Sequence, residues 1–277
     1  MNAWFTEVQH PGLKLSCQLK DVLYACETKY QRLEVYDTVV FGRMLVLDGC
    51  IMTTDRDEFV YHEMLAHVPL MAHPEPRRVL VIGGGDGGII REVLKHPSVE
   101  LAHLVEIDEM VVEVSKKYFP KIAAGFSDPR AKVSIRDGIE YVKGISEQYD
   151  VILTDSTDPV GPAVGLFAEE FYVAAKKALR PGGIFCAQTE SPMFNRDLLR
   201  RISQVFERVF TNRRTYFATV PTYPGGFWCF SMGTLGPSGD VADPKRATFE
   251  TRYYTKDIHS ASMVLPPFIE ELVGKNV

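Results

Sequence analysis

No run in this sequence is long and apolar enough to cross a bilayer, which takes roughly twenty such residues. Met1-Asn2-Ala3-Trp4-Phe5-Thr6-Glu7 has neither a basic start nor an apolar run behind it, so no secretory signal is expected. Cysteines are few: the 5 are scattered with no paired spacing, which excludes a disulfide framework and suits buried thiols in a reducing compartment. A basic excess is also missing. The formal net charge of −5 argues against a nucleic-acid partner and leans toward a cationic ligand. There are no internal repeats or low-complexity segments. The expectation is a soluble, cytoplasmic protein with no membrane partner. The 277 residues, 45% hydrophobic and 24% charged, suffice for a large α/β core with an appendage.

Residues 1–56 hold β-type runs separated by turns, clearest at 22–26, 33–36 and 44–47. No helical period interrupts them, so a small antiparallel domain is expected. So few strands bury little surface alone, and the domain should pack on the larger one or on a second subunit. Gln31 and Leu47 can reach a ligand from here, or serve only as a turn and a core residue. Residues 57–70 read as a helix with acidic residues at its start, where the dipole favours them. His62 and His67 suggest zinc, but residues five apart lie roughly 140° apart around a helix and cannot form the i,i+4 metal pair. His67 therefore reads as an ordinary histidine, while Tyr61 and His62 stay open.

From Arg77 onward strands and helices alternate. Strands are expected at 79–82, 103–107, 132–135, 149–154 and 184–188, and helices at 89–95, 110–119, from 138, at 170–179 and at 197–210. Two consecutive strands, 214–220 and 227–233, close the series. This order predicts an α/β domain over 57–277 with a mainly parallel sheet and an antiparallel hairpin at one edge.

The chemistry collects at the strand ends. Val79-Leu80-Val81-Ile82 runs into Gly83-Gly84-Gly85-Asp86-Gly87-Gly88, a turn that lets backbone approach a ligand without side chains in the way. Glu106 ends the next strand about twenty residues on, the spacing at which a carboxylate accepts both hydroxyls of a ribose. A nucleoside ligand is expected, although nicotinamide and S-adenosylmethionine enzymes share the pattern. Ligands of open parallel sheets sit beyond the carboxyl ends of the strands. Those ends carry Asp86, Glu106, Asp137, Asp155 and Gln188, more negative charge than a pyrophosphate site tolerates. Asp86 inside the turn welcomes a cation, or else caps the following helix. Asp155-Ser156-Thr157-Asp158-Pro159-Val160-Gly161-Pro162 places two aspartates close together on a proline-stiffened loop. Such a pair raises one pKa and makes a better general base near neutrality, the alternative being a turn with capping aspartates. The loop is also expected to close over bound substrates.

Together these runs resemble the spermidine synthase family of aminopropyltransferases. The likeness is carried by Asp57-Glu58-Phe59-Val60-Tyr61-His62-Glu63-Met64, the glycine turn, Val105-Glu106-Ile107-Asp108, Asp137-Gly138, the 155–162 loop, Gln188-Thr189-Glu190-Ser191-Pro192 and Val220-Pro221-Thr222-Tyr223-Pro224. It extends from Trp4 to His259. Met52 stands where many relatives carry glutamine and Gly225 where serine is usual, which bears on polyamine selectivity.

The resemblance implies a Rossmann-like sheet of the S-adenosylmethionine-methyltransferase type and a homodimer or homotetramer. It implies aminopropyl transfer from decarboxylated S-adenosylmethionine, a co-substrate, to putrescine, with no cofactor and no metal. Glu106 would then hold the ribose, Asp137 and Gly138 the adenine, Gln31 and Pro162 the rest of the nucleoside, and Asp86 the donor's ammonium. Asp155 would orient the amine and accept its proton, with Tyr61, His62, Ser156, Thr157, Asp158, Gln188 and Tyr223 along the diamine channel. The residue chemistry agrees. A decarboxylated donor ends in an ammonium that suits Asp86, whereas ordinary S-adenosylmethionine would bring a carboxylate against it. Positive charge passes from the sulfonium to the attacking nitrogen, so carboxylates there stabilise the transition state more than the ground state.

Three rival readings fit parts of the chain. An NAD(P)-dependent oxidoreductase would use Gly83, Gly85 and Gly88, with Tyr172 and Lys176 at dehydrogenase spacing, but Asp86 opposes it. An S-adenosylmethionine-dependent N-methyltransferase of the same fold would share the nucleoside contacts and differ only at the donor end. A non-enzymatic binder would have no need of separate donor and acceptor carboxylates.

Overall fold

The computed structural model describes residues 3–158 and 161–276, without the side chains of Pro162 and Pro244. The first sheet is an antiparallel meander of β1 (Ala3–His10), β2 (Leu13–Glu27), β3 (Arg32–Thr38), β4 (Gly42–Leu47) and β5 (Cys50–Thr54). Sequence reading missed β1 and β5, whose residues do not alternate cleanly. In β1, Phe5 and Glu7 share one face with Ala3, while Trp4 and Val8 are exposed on the other. Leu33, Val35, Leu45 and Leu47 pack on Val111, Val114, Phe119 and Ile122 of the larger unit, so the small sheet does complete its core there.

Next comes α1 (Glu58–Ala72), buried on nearly every side because it lies between the second sheet and its neighbouring helix. The alternating part follows as β6 (Arg78–Gly83), α2 (Gly88–Leu94), β7 (Leu101–Glu106), α3 (Glu109–Tyr118), β8 (Ala131–Ile135), α4 (Gly138–Lys143), β9 (Tyr149–Asp155), α5 (Glu169–Ala178), β10 (Leu179–Gln188) and α6 (Arg196–Val209). Then come β11 (Asn212–Thr219), β12 (Phe227–Thr234), α7 (Lys256–Ser262) and α8 (Pro267–Val273). Strand order is β11-β12-β10-β9-β6-β7-β8. The five strands from β10 to β8 run parallel, and β12 is antiparallel to both β10 and β11. The edge hairpin is present, with its returning strand inserted next to β10.

From β6 the chain builds outward through β7 to β8, then returns to place β9 on the other side of β6. That reversal opens a crevice at the carboxyl ends of β6 and β9, the usual ligand position in such sheets. Aspartates start two of the helices there: Asp108 accepts from the Met110 amide ahead of α3, and Asp137 from Ile139 and Glu140 ahead of α4. No helix among the described residues is long and apolar enough to cross a membrane.

Candidate active site

A cavity of about 340 Å³ fills this crevice, walled by the glycine turn, the ends of β7, β9 and β10, and the N-terminal sheet. Gly83, Gly84 and Gly87 have φ of 76°, 73° and 86°, a region costly for other residues. The glycines also make room for the reacting side chains. A Cβ on Gly83 would strike the Asp155 carbonyl oxygen, one on Gly84 would lie 2.7 Å from Asp155 Oδ2, and one on Gly88 would enter the His62 ring.

At the nucleoside end, Glu106 accepts from the amides of Ile107 at 2.7 Å and Asp108 at 2.9 Å through one oxygen, and from Gly85 at 3.1 Å through the other. Burial outweighs these bonds and lifts its carboxyl to about 7. Asp137 spends Oδ1 on capping α4 and is otherwise exposed at the cavity edge beside Gly138. Gln31 lines the wall and donates to Asp108 Oδ2 at 3.0 Å, tying the small sheet to the start of α3. Leu47 lines the same wall. Of the 155–162 loop, Pro159, Val160 and the Pro162 side chain lie outside the described residues.

The middle of the cavity holds three charged groups. Asp86 accepts from the Gly88 amide at 2.8 Å and faces His62 Nε2 at 3.0 Å, so it caps α2 and is also paired with a cation. The other His62 nitrogen lies 2.6 Å from Glu58 Oε2. Burial works against a charged His62, but Asp86 and Glu58 overcome it and hold the ring well above its usual pKa. Asp155 accepts from the Tyr61 hydroxyl at 2.7 Å. Burial and Asp86 push its carboxyl up to about 6, with His62 and Tyr61 pulling the other way. Ligand atoms of His62, Asp86 and Asp155 all lie within 4.8 Å of one another. Both His62 nitrogens already face carboxylates, Nε2 that of Asp86 and Nδ1 that of Glu58.

The far end is acidic as well. Gln188 donates to the Ser156 carbonyl at 3.2 Å and to Glu190 Oε1 at 3.3 Å, and accepts from the Glu190 amide at 3.0 Å. Glu190, at φ +73°, is held well above its usual pKa by burial and by Asp158. Burial raises Asp158 too, so the two carboxyls titrate as a pair that holds a proton more tightly than either would alone. Ser156, Thr157 and Asp158 line the wall here, as does Tyr223, whose hydroxyl donates to the Met52 carbonyl at 2.7 Å.

Sequence reasoning did not pick out four residues at this end as site residues. Glu7 reaches in from β1 and is raised by burial, and Cys50 is pushed up to about 12 by burial and by Asp158. Glu190 lies behind Gln188, and Trp228 turns a buried Nε1 with no hydrogen-bond partner among the described residues. Glu190 stands within the matching run 188–192, and a glutamate on the Phe5 face of a strand was the signal for Glu7. Tyr172 and Lys176 are elsewhere. Tyr172 is buried against Phe185 and Phe206, and Lys176 donates to the Val209 carbonyl, so the dehydrogenase pair is not part of the cavity.

Comparison with known proteins places this geometry in context. Residues 58–240 match the model of a spermine/spermidine synthase domain, and residues 3–55 that of a spermidine synthase tetramerisation domain. A polyamine aminopropyltransferase of Moorella thermoacetica is 52% identical over 98% of this chain and 96% of its own length. One from Desulforudis audaxviator is 52% identical over 98% and 99%. A spermidine synthase crystallised with the transition-state analogue AdoDATO superposes with a TM-score of 0.96 at 40% identity, covering 99% of this chain and 96% of that one. The Thermotoga maritima spermidine synthase gives 0.93 at 39% identity, covering 99% and 95%.

Proposed function

The chain belongs to the spermine/spermidine synthase family, and from that footing we propose that it makes spermidine and methylthioadenosine from putrescine and decarboxylated S-adenosylmethionine. The observation that carries this reading is the pair Asp86 and Asp155, facing one crevice with His62 beside both. Asp86 receives the ammonium of the donor's aminopropyl arm. Glu106 takes the ribose hydroxyls, Asp137 and Gly138 the adenine edge, and Gln31, with Pro162, the remaining nucleoside. Asp158, Gln188 and Tyr223, with Glu7 and Glu190 at the far end, receive the distal amine of the diamine, while Tyr61, His62, Ser156 and Thr157 line the way in.

The step is a direct displacement. The amine nitrogen attacks the carbon bonded to the sulfonium, and the N–C bond forms as the C–S bond breaks. The electron pair leaves on sulfur, which becomes the thioether of methylthioadenosine. Before the attack the substrate's ammonium gives a proton to Asp155, which frees the lone pair, and after it the new secondary amine carries the positive charge that left sulfur. An alkylammonium has a pKa of about 10.4 in water, and the neighbouring sulfonium and the loss of water bring it down toward that of Asp155.

The reading treats residues 1–56 as the assembly domain of a homodimer or homotetramer and 57–277 as the catalytic domain, in a cytoplasmic enzyme whose donor is a co-substrate. Trp4, Val8 and Val22, exposed on the N-terminal sheet, support the assembly role. Incubation with putrescine and either donor, followed by mass spectrometry, tests the activity. Spermidine should form only with the decarboxylated donor. A product that requires intact S-adenosylmethionine, such as N-methylputrescine, would show a methyltransferase instead.

A further inference from the structure

The charge row continues behind His62. Glu58 lies one turn earlier on α1, and both its oxygens receive the Arg91 guanidinium, at 3.2 and 2.8 Å. Arg91 Nε donates to Glu92 at 2.7 Å, and the other Glu92 oxygen takes Lys95 at 2.7 Å and His67 at 3.0 Å. The signs alternate from Asp86 through His62, Glu58, Arg91 and Glu92 to Lys95. The row ends at a second cavity of about 450 Å³ between α1, α2 and the segment after α3, whose floor is Glu58, Arg91 and Glu92. The Glu58, His62 and Glu92 side chains are 7%, 3% and 1% exposed. Burying this many charges is expensive, and such rows are often no more stable than an apolar replacement. A row that ends on a substrate-binding carboxylate beside the proposed base calls for another reason.

We propose that Glu58 is a positioning residue: backed by Arg91, it holds His62 as an imidazolium between Asp86 and Asp155, so that both carboxylates are charged when the two cationic substrates enter. The inference rests on the aminopropyl-transfer reading above. Two carboxylates sharing a dry crevice cannot both ionise unless a cation offsets their repulsion, and a protonated Asp155 cannot take the amine's proton. A single carboxylate beside a buried imidazole does not guarantee its charge; two do so far better.

The groups around His62 are few. Tyr61 and Glu58 face it from α1, Asp86 from the glycine turn and Asp155 from β9, with Arg91 of α2 behind Glu58. Asp155 is faced in addition by Glu106 of β7 and by Tyr223. Burial resists a charged Glu58, but His62 and Arg91 outweigh it and hold its carboxyl at about 2, so it stays an anion through the working range.

The test is the pH profile of kcat/KM for putrescine at saturating donor, measured on full-length wild type, Glu58→Gln and Glu58→Asp. Loss of the carboxylate should move the acid limb up by about one pH unit, a loss of about twofold at pH 7 that grows to about tenfold by pH 5 and is regained at alkaline pH. Glu58→Asp should bring the limb back toward wild type. Any limb due to putrescine's own amines is common to all three and cancels in the comparison. Nitrogen NMR of histidine-labelled wild type at pH 7.5, with His62 assigned through His62→Gln, should show both ring nitrogens protonated. A neutral His62 overturns the proposal, as does an unshifted limb in a folded Glu58→Gln enzyme; if that variant does not fold, the NMR result decides. Absence of spermidine from the wild type would instead strike at the reaction assignment, and the NMR result would still report on Glu58 and His62.

Discussion

Gly83 and Asp155 sit opposite each other in the parallel pairing of β6 and β9, so close that a Cβ on Gly83 would strike the Asp155 carbonyl oxygen. The first glycine of a motif usually read as a nucleotide signature thus also sets the position of the proposed base. Gly84, with its Cβ position 2.7 Å from Asp155 Oδ2, does the same for the carboxylate itself.

Gly84→Ala should therefore reduce turnover more than stability. A side chain at φ +73° costs on the order of 1–2 kcal/mol, while displacing the base should lower kcat by about 100-fold. Parallel thermal melts and steady-state rates make the comparison. Wild-type kcat in the alanine variant would mean that Asp155 is not the base.

Asp155→Asn keeps the shape of the side chain and its contact with Tyr61 but removes the proton acceptor. Turnover should fall by about 10²–10⁴, the usual contribution of a general base, with methylthioadenosine affinity nearly unchanged by calorimetry. Near-normal activity would refute the assignment.

Glu106 gives a pH dependence of binding whose sign follows from its burial. Its carboxyl is lifted to about 7, and both hydroxyls of a ribose can donate to its two oxygens only in the ionised form. Methylthioadenosine affinity should hold above about pH 7 and weaken as pH falls through that value, by up to about tenfold per unit. Glu106→Gln should bind more weakly and lose this slope. A slope that survives the substitution would point to another group.

At the far end, Glu190→Gln removes the carboxyl that shares a proton with Asp158. An arriving ammonium displaces the shared proton and is held by a charge-assisted hydrogen bond, which contributes about 1.5–3 kcal/mol, so the KM for putrescine should rise by tenfold or more with little change in kcat. Unchanged KM would place the distal amine elsewhere. Initial rates across a putrescine series decide it.

Much of this protein was legible in the chain because it is local. Apolar β-branched runs, a glycine turn and aspartates before helices act within a few residues, so β6, β7, β9 and β10 and the carboxylates at their ends could be read one segment at a time. The helices around them were found to within a residue or two for the same reason. The first strand was harder to read, because its mixed pattern becomes a strand only through pairing with β2. Tertiary structure alone decided the rest. Glu7 and Asp158 are far apart in sequence and meet because the small sheet leans over the crevice. His62 is held above its usual pKa because α1 is packed so that one turn of it lies between Asp86 and Arg91. Charge state depends on distance through space and on the exclusion of water, and neither is written in the spacing of residues along the chain.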